Sequence, residues 1–198
     1  MNVQLEAPAD KKLAIFDSTL ELIRHNGFHG TPMSMIAKDA GVAAGTIYHY
    51  FDSKDTLIME LFFHVKDQIA RTIFKDDDPQ KPFKERFFRL WINLWNYYTA
   101  NPSCLTFMEQ FTNSPYNNLD PTNEREKYNM LICDFFKSGI EDGHLKPLNN
   151  RLIGPVFHGS VMATVKMHLA RRYEFTDAEL QNVAQIIWDG IKIQNDAY

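Results

Sequence analysis

The chain has 198 residues and a mass of 23.0 kDa, with 21 Lys and Arg against 25 Asp and Glu, so its formal net charge is −4. A hydrophobic fraction of 44% is enough for an ordinary buried core and excludes an intrinsically disordered chain. The acidic balance counts against a strongly basic nucleic-acid-binding protein, although an average charge does not describe a local surface.

The sequence lacks the features of membrane proteins and of disulfide-rich secreted proteins. Its first residues are polar, without the apolar run of a signal peptide, and no stretch approaches the roughly 20 apolar residues of a membrane span. Cys104 and Cys133 are the only cysteines, too few for a disulfide framework. We therefore expect a cytoplasmic protein with reduced thiols and no membrane partner.

Four helices are predicted in the first 75 residues from apolar spacing and helix-terminating residues. Their expected bounds are 11–26, from Thr31-Pro32 to Gly41, about 45–51 and about 54–74. Threonine is a favourable N-cap and proline loses no hydrogen bond as the first helical residue, which places the start of the second helix. The acidic run 76–78 ends the fourth helix, and we expect a solvated helix end there, because a calcium loop needs a glycine and a later glutamate.

Residues 31–51 have the pattern of a helix-turn-helix. Ala37 is small enough for a second helix to cross closely, and Gly41 permits the positive φ of the turn. One apolar seam is shared by Ile36, Ala40, Val42, Ile47 and Tyr50. In such a motif the second helix enters the DNA major groove. A generic helical hairpin is the alternative, and this spacing disfavours it.

The same segment resembles the N-terminal signature of TetR-family transcriptional regulators. The resemblance covers about residues 10–60 and rests on Gly27-Phe28, Thr31, Ile36-Ala37, Ala40-Gly41-Val42, Gly45 through Phe51, Ser53-Lys54 and Leu57. It implies an all-α homodimer, usually a repressor, that binds a palindromic operator in double-stranded DNA. It also implies a helix-turn-helix domain over 1–53 and a helical effector-binding and dimerisation domain over 54–198, with the helix 54–75 connecting the two. A ligand in the second domain then lowers the affinity for DNA.

The resemblance implies DNA contacts by Thr31, Ser34, Gly45, Thr46, Tyr48, His49 and Lys54. Hydroxyls and a ring nitrogen suit phosphates or base edges, and the N-terminus of the second helix favours a phosphate near Thr31 and Ser34. Thr31 could instead be a plain helix cap. Many family members carry Lys or Arg where this chain has Ala44 and Asp52, so we expect fewer ionic phosphate contacts and a shallower salt dependence.

The second half of the chain is also predicted to be helical. The expected helices cover 83–100, about 102–111, 124–141, 155–172 and 176–194, with a loop over 112–123 and a capping box formed by Thr176 and Glu179. No segment alternates with period 2. The fold class is therefore all-α, with about nine helices.

Nine aromatic residues lie between positions 83 and 111, and most of them are expected to form core. The resemblance places an effector pocket among these middle helices. The candidate lining is Trp95, Tyr98, Phe107, Met108, Glu109, Phe111, Tyr128 and Cys133. Aromatic and methionine side chains suit an apolar or aromatic ligand. Glu109 could pair with a cationic ligand or simply be exposed.

The last two helices are expected to form a dimer interface. The small residues Gly159, Ser160, Ala163 and Thr164 allow close helix approach on one of them. The other is apolar on two faces, which calls for two partners, and its candidate interface residues are Val183, Ile187, Trp188 and Ile191. Burial within one subunit is the alternative.

Catalysis is not expected. The seven histidines show no metal-site or triad spacing, and the sequence has neither a Gly-rich phosphate loop nor a Cys-x-x-Cys motif. No metal or cofactor is expected either. The alternative to a ligand-responsive repressor is a helix-turn-helix relative that acts through a protein partner, with weak or no DNA binding.

Overall fold

The computed structural model describes residues 8–118 and 124–194, with side chains for 10–118, 131–149 and 151–194. These residues form helices and no strand, which confirms the all-α prediction. The helices are α1 (Pro8–Asn26), α2 (Met33–Asp39), α3 (Ala44–Tyr50), α4 (Lys54–Ile73), α5 (Phe83–Ala100), α6 (Pro102–Thr112), a 3₁₀ helix (Pro115–Asn118), α7 (Glu124–Glu141), α8 (Asn150–Leu169) and α9 (Asp177–Ile191). None of these helices is long and apolar enough to span a membrane.

Most helix bounds lie within three residues of the sequence prediction, and the start of α8 differs most. α5 and α7 have the predicted bounds, and α9 begins with the predicted capping box. α8 begins at Asn150 rather than Pro155, because the Asn149 side chain accepts a hydrogen bond from the backbone N–H of Arg151 and caps the helix. Pro155 therefore lies inside α8.

The described residues divide into two compact units. The N-terminal unit comprises residues 8–65 and 103–118, and the C-terminal unit comprises residues 66–102 and 124–194. The division falls within α4, and α6 belongs to the N-terminal unit although it follows α5 in the sequence. The expected boundary between a DNA-binding domain and an effector domain at residue 53 concerns function, and it stays a prediction.

The core of the N-terminal unit joins α1, α2, α3, the first part of α4, and α6. Its fully buried side chains include Ile15, Ile23, Ile36, Ile47, Leu57, Leu61, Phe107 and Phe111. Phe111 of α6 stacks on Phe62 of α4, with ring centroids 4.1 Å apart. Gln110 of α6 also donates a hydrogen bond to the Ile23 carbonyl of α1, over 3.4 Å. α6 therefore packs directly against α4 and α1, which flank the helix-turn-helix in the sequence.

In the C-terminal unit, α5 packs against α8 and α9 through an aromatic core. The Phe87 ring lies 5.3 Å from Phe157 of α8 and 5.4 Å from Trp188 of α9. Phe83 stacks on Phe135 of α7 at 4.6 Å. These rings are buried, so much of the aromatic surplus forms core, as the sequence predicted.

The acidic run after α4 has a structural role in the C-terminal unit. Asp77 accepts two hydrogen bonds from the Arg86 guanidinium, at 2.9 and 2.8 Å. This paired geometry raises the pKa of Arg86, chiefly through its hydrogen bond to Asp77. The expectation of a simply solvated helix end is therefore wrong for Asp77, which fixes the connection between α4 and α5.

Candidate DNA-binding surface and effector unit

Buried residues fix the geometry of α2, the turn and α3. Ile36 and Ile47 have no exposed surface, and Ala37 is only 2% exposed, so α2 and α3 meet closely. Gly41 has φ of +68°, a conformation that glycine adopts at little cost. The backbone N–H of Val42 donates to the Ala37 carbonyl at 2.9 Å and closes the turn. The segment forms a helix-turn-helix whose second helix is held from one side.

The opposite side of α3 is exposed and carries polar groups. Tyr48 is 55% exposed, and His49 and Gly45 are also exposed. Thr46 is half-buried. A Cβ atom at Gly45 would have nothing within 4 Å, so another surface can approach the backbone there. A phenol, an imidazole and a bare backbone segment on one face suit contacts to phosphates and base edges.

Thr31 does not lie where the sequence predicted. Its side chain has no exposed surface, and its hydroxyl donates to the Gly27 carbonyl at 2.8 Å. Its backbone N–H donates to the Phe28 carbonyl at 3.4 Å, and Pro32 occupies the N-cap position of α2. Thr31 therefore closes the turn between α1 and α2, and its expected role as helix cap and phosphate ligand is wrong.

Two other predicted contact residues flank α3. Ser34 is exposed in the first turn of α2, where helix N–H groups favour an anion. Lys54 is half-buried at the start of α4, and its ammonium donates a hydrogen bond to the Phe28 carbonyl. Burial lowers the pKa of Lys54, and the charge of Asp55 opposes that effect. Lys54 thus ties α4 to the turn after α1, and an ammonium has further N–H groups for a phosphate.

Tyr116 packs inside the N-terminal unit, at a position that the sequence did not predict. It follows α6, and its ring lies 5.1 Å from Phe28 and stacks on Phe111 at 6.5 Å. Burial is the main cause of the raised pKa of Tyr116, and the charge of Asp55 and a hydrogen bond to Asp55 raise this pKa further. These contacts join residues far apart in the chain, and neither spacing nor composition could have revealed them.

The predicted effector-pocket residues are distributed over both units. Phe107, Met108 and Phe111 are buried in the N-terminal unit, where Glu109 is half-buried. Tyr98 is buried in the C-terminal unit, and Trp95 and Cys133 are half-buried there. The side chain of Tyr128 lies outside the described residues. The shared pocket of these eight residues stays a prediction.

α5 and α8 form polar pairs in the C-terminal unit. The Trp91 indole N–H donates to the Ser160 hydroxyl at 2.9 Å, and the Tyr98 hydroxyl lies 2.9 Å from Nε2 of His158. Burial lowers the pKa of His158 to about 4, with a smaller contribution from the positive charge of Lys66. His158 is therefore neutral at physiological pH.

An open groove of about 560 Å³ lies between α5 and α9. It is lined by Pro82, Lys84, Glu85, Phe88, Arg89, Ile92, Asn93 and Gln181. No predicted pocket residue lines it. Its charged groups are partly paired, since Arg89 donates to Glu85 at 3.0 Å.

The residues predicted at a dimer interface fall into two groups. Gly159 and Ala163 are exposed on α8, and Val183 and Ile187 are half-buried on α9. The others are engaged inside their own unit: Ser160 with Trp91, Thr164 with carbonyls of α8, and Trp188 and Ile191 as buried core residues. The expectation for Trp188 is corrected because its ring packs on Phe87, which leaves 7% of it exposed.

The same two helices expose apolar side chains that the sequence prediction missed. On α8, Leu152 is 63% exposed, Val156 54% and Met167 43%, and on α9 Ile186 is 69% exposed. Together with Gly159 and Ala163, the α8 residues recur every three or four positions and follow one face of the helix. This recurrence is visible in the sequence and indicates one exposed apolar face on α8.

Two family models match the chain. Residues 15–61 match "Bacterial regulatory proteins, tetR family", and residues 82–192 match "Tetracyclin repressor-like, C-terminal domain". The second match covers more than half of the chain.

Curated relatives are regulatory proteins. The chain is 30% identical to the fatty acid metabolism regulator protein of Bacillus subtilis over 91% of this chain and 95% of that protein. It is 36% identical to an uncharacterised HTH-type transcriptional regulator of Haemophilus influenzae, over 56% of this chain and 59% of that protein's length.

Solved structures share the fold. A TetR-family transcription regulator from Marinobacter aquaeolei VT8 matches with a TM-score of 0.86 and 23% identity, over 94% of this chain and 97% of that one. The transcriptional regulator FadR from Bacillus subtilis, solved in complex with stearoyl-CoA, matches with a TM-score of 0.69 and 24% identity, over 90% and 98%.

Proposed function

The chain belongs to the TetR family of transcriptional regulators, and from this premise we propose that it is a homodimeric, cytoplasmic repressor. In this proposal it binds a palindromic DNA operator through α3 and releases it when a small apolar effector binds. Members of this family are regulators and not enzymes. The protein's partners are thus double-stranded DNA, a second copy of the chain and an effector.

The exposed polar face of α3 is the observation that carries the DNA-binding part. Ile47 anchors the helix from the buried side, so Gly45, Tyr48 and His49 are presented together on the other. Exposed aromatic and imidazole groups on so short a helix contribute little to the fold. They suit the base edges of a major groove, with Ser34, Thr46 and Lys54 available for the phosphates.

The experiment is footprinting on the DNA upstream of the protein's own gene, followed by mobility-shift titration of the protected sequence. We expect a palindromic footprint, and a loss of affinity of about tenfold or more for Tyr48→Ala and for His49→Ala. Tyr173→Ala is the matched control, since Tyr173 is 43% exposed in the C-terminal unit. If no palindrome is protected, the alternative of a protein partner is favoured.

Exposed apolar faces on α8 and α9 support the homodimer. Leu152, Val156, Met167 and Ile186 lie outside the core, and Gly159 and Ala163 leave room for a helix to approach. A stable dimer buries roughly 1,200–2,000 Å² in total, and large apolar side chains are the usual centre of such an interface. We propose that two copies pair through these faces.

The effector proposal rests on the name of one relative and on the ligand bound to another. The Bacillus subtilis relative is named as a regulator of fatty acid metabolism, and a fold relative was solved with stearoyl-CoA. We therefore propose a long acyl chain or its thioester as the first effector class to test, which agrees with the apolar ligand expected from the sequence. Binding would favour a dimer state in which the two α3 helices no longer match half-sites about 34–36 Å apart.

The test is release of the operator by stearoyl-CoA, measured by fluorescence anisotropy of labelled DNA. We expect release at micromolar ligand and a rise in melting temperature of the DNA-free protein. Free coenzyme A, which lacks the acyl chain, is the control. Equal release by coenzyme A and by stearoyl-CoA would contradict an acyl-chain effector.

A further inference from the structure

Two buried nitrogen atoms at the contact between α5 and α8 have no hydrogen-bond partner among the described residues. They are Nε1 of Trp95 and Nδ1 of His168. The two rings lie against each other, with centroids 5.2 Å apart and an interplanar angle of 64°. Both residues belong to the C-terminal unit. The pair is thus one local site with two unused polar atoms.

These atoms are unusual because leaving a buried polar group unpaired is costly. Such a group loses its hydrogen bonds to water and gains nothing in return, so most buried polar atoms in native proteins have a partner. The neighbouring pairs along the same helices follow that rule, with Trp91 bonded to Ser160 and Tyr98 beside His158. The unused donor of Trp95 therefore points to a partner that binds from outside the chain.

The chemistry of the two nitrogens defines that partner. An indole N–H only donates, and the imidazole can carry its proton on either nitrogen. An oxygen atom can accept from both when His168 is protonated on Nδ1. A carboxylate oxygen is the acceptor that gains most from two N–H donors.

The electrostatics of this end of α8 combine two opposing effects. His168 lies in the last turn of α8, where the helix dipole disfavours an anion, and the chain folds back over this turn, since the backbone N–H of Arg171 donates to the His168 carbonyl at 2.9 Å. Arg172 donates likewise to the Met167 carbonyl at 3.0 Å. Arg171 and Arg172 are exposed and follow His168 by three and four positions, so their positive charges oppose the effect of the dipole.

We propose that Trp95 and His168 bind the carboxylate head group of an effector that is a free fatty acid. This inference rests on the proposed function, in which the protein responds to an apolar effector, and it adds which end of the ligand is recognised and by which atoms. The two side chains are half-buried while the two nitrogen atoms are themselves buried, so a ligand reaches these atoms only when neighbouring side chains move.

The test measures decanoate binding directly, without DNA, by calorimetry and by NMR of the three ¹⁵N-labelled indole groups. We expect decanoate to move the Trp95 indole signal more than those of Trp91 and Trp188. Trp95→Phe and His168→Leu should each weaken decanoate binding about tenfold. Neither variant removes a side-chain hydrogen bond among the described residues, so His168→Leu should leave the ligand-free melting temperature unchanged or raise it. Trp95→Phe also makes a half-buried ring smaller and should lower the melting temperature only slightly.

The control is Arg151→Ala, which removes an exposed cation at the other end of α8 and should leave decanoate affinity unchanged. Unchanged affinity in both Trp95→Phe and His168→Leu would overturn the proposed site while leaving the effector proposal intact. A wild-type protein that releases its operator with stearoyl-CoA but does not bind decanoate would overturn it as well. If neither ligand binds, the effector proposal and this site fail together.

Discussion

Neutral, buried His158 should make the stability of the protein depend on pH. Its pKa is 6.5 in an unfolded chain and about 4 in the folded one, because burial disfavours the charged ring. Between these two values the unfolded chain binds more protons at this position than the folded chain. The free energy of unfolding therefore falls as the pH is lowered through this window.

The expected magnitude follows from the two pKa values. Between pH 7.5 and pH 5.0, this one group should lower the free energy of unfolding by about 2 kcal/mol. The effect approaches its limit of about 3 kcal/mol near pH 4. The Tyr98 hydroxyl lies 2.9 Å from Nε2, so the neutral ring has a hydrogen-bond partner in the folded chain.

The assay is urea unfolding at pH 7.5 and pH 5.0, at one fixed protein concentration because a dimer would link stability to concentration. His158→Gln cannot gain a charge, so it should lose about 2 kcal/mol less than the wild type between the two pH values. His25→Gln, on the exposed end of α1, controls for the loss of an imidazole. Equal losses in the wild type and in His158→Gln would refute the reasoning.

Three further predictions concern the N-terminal unit. Phe111→Ala should lower the free energy of unfolding, measured in urea, by about 3–5 kcal/mol, because the ring is fully buried against Phe62. Leu131→Ala, at a half-exposed residue of α7, should lower it by less than about 1 kcal/mol, and equal losses in the two variants would contradict this. Lys54→Met removes the hydrogen bond to the Phe28 carbonyl, so it should lower the free energy of unfolding by about 1 kcal/mol and weaken operator binding. Lys38→Met, at an exposed lysine, should not destabilise the fold. Ala44→Lys should steepen the dependence of log K on log salt by about one unit, measured by anisotropy, and an unchanged slope would show that residue 44 does not approach a phosphate.

Local signals predicted much of the fold. The bounds of α5 and α7 follow from breaking residues at both ends, and the capping box of α9 is visible as Thr176 and Glu179. The start of α8 was predicted too late because Pro155 resembles a helix start, whereas the Asn149 cap six residues earlier is the one that begins the helix. Two residues can each be suited to begin the same helix, and the sequence alone does not show which of them does.

Contacts between distant residues limited the prediction of the site. Lys54 and the Phe28 carbonyl are 26 positions apart, and Tyr98 and His158 are 60 apart. No local pattern brings such groups together. Trp188 shows the same limit, since α9 is apolar on two faces and only packing decides which residues are buried. The buried ones are Leu180, Ala184, Trp188 and Ile191.

The acidic charge of the chain affects which contacts supply the proposed affinity for DNA. Residues 1–55 contain five Lys and Arg against seven Asp and Glu, so the N-terminal segment is not basic. One of the five cations, Lys54, also holds the Phe28 carbonyl. Counterion release from phosphates should then supply less of the affinity than in a basic relative, and base contacts by Tyr48 and His49 should supply more. A protein that depends on base contacts discriminates its operator from other DNA more sharply, because non-specific binding comes almost entirely from the phosphates.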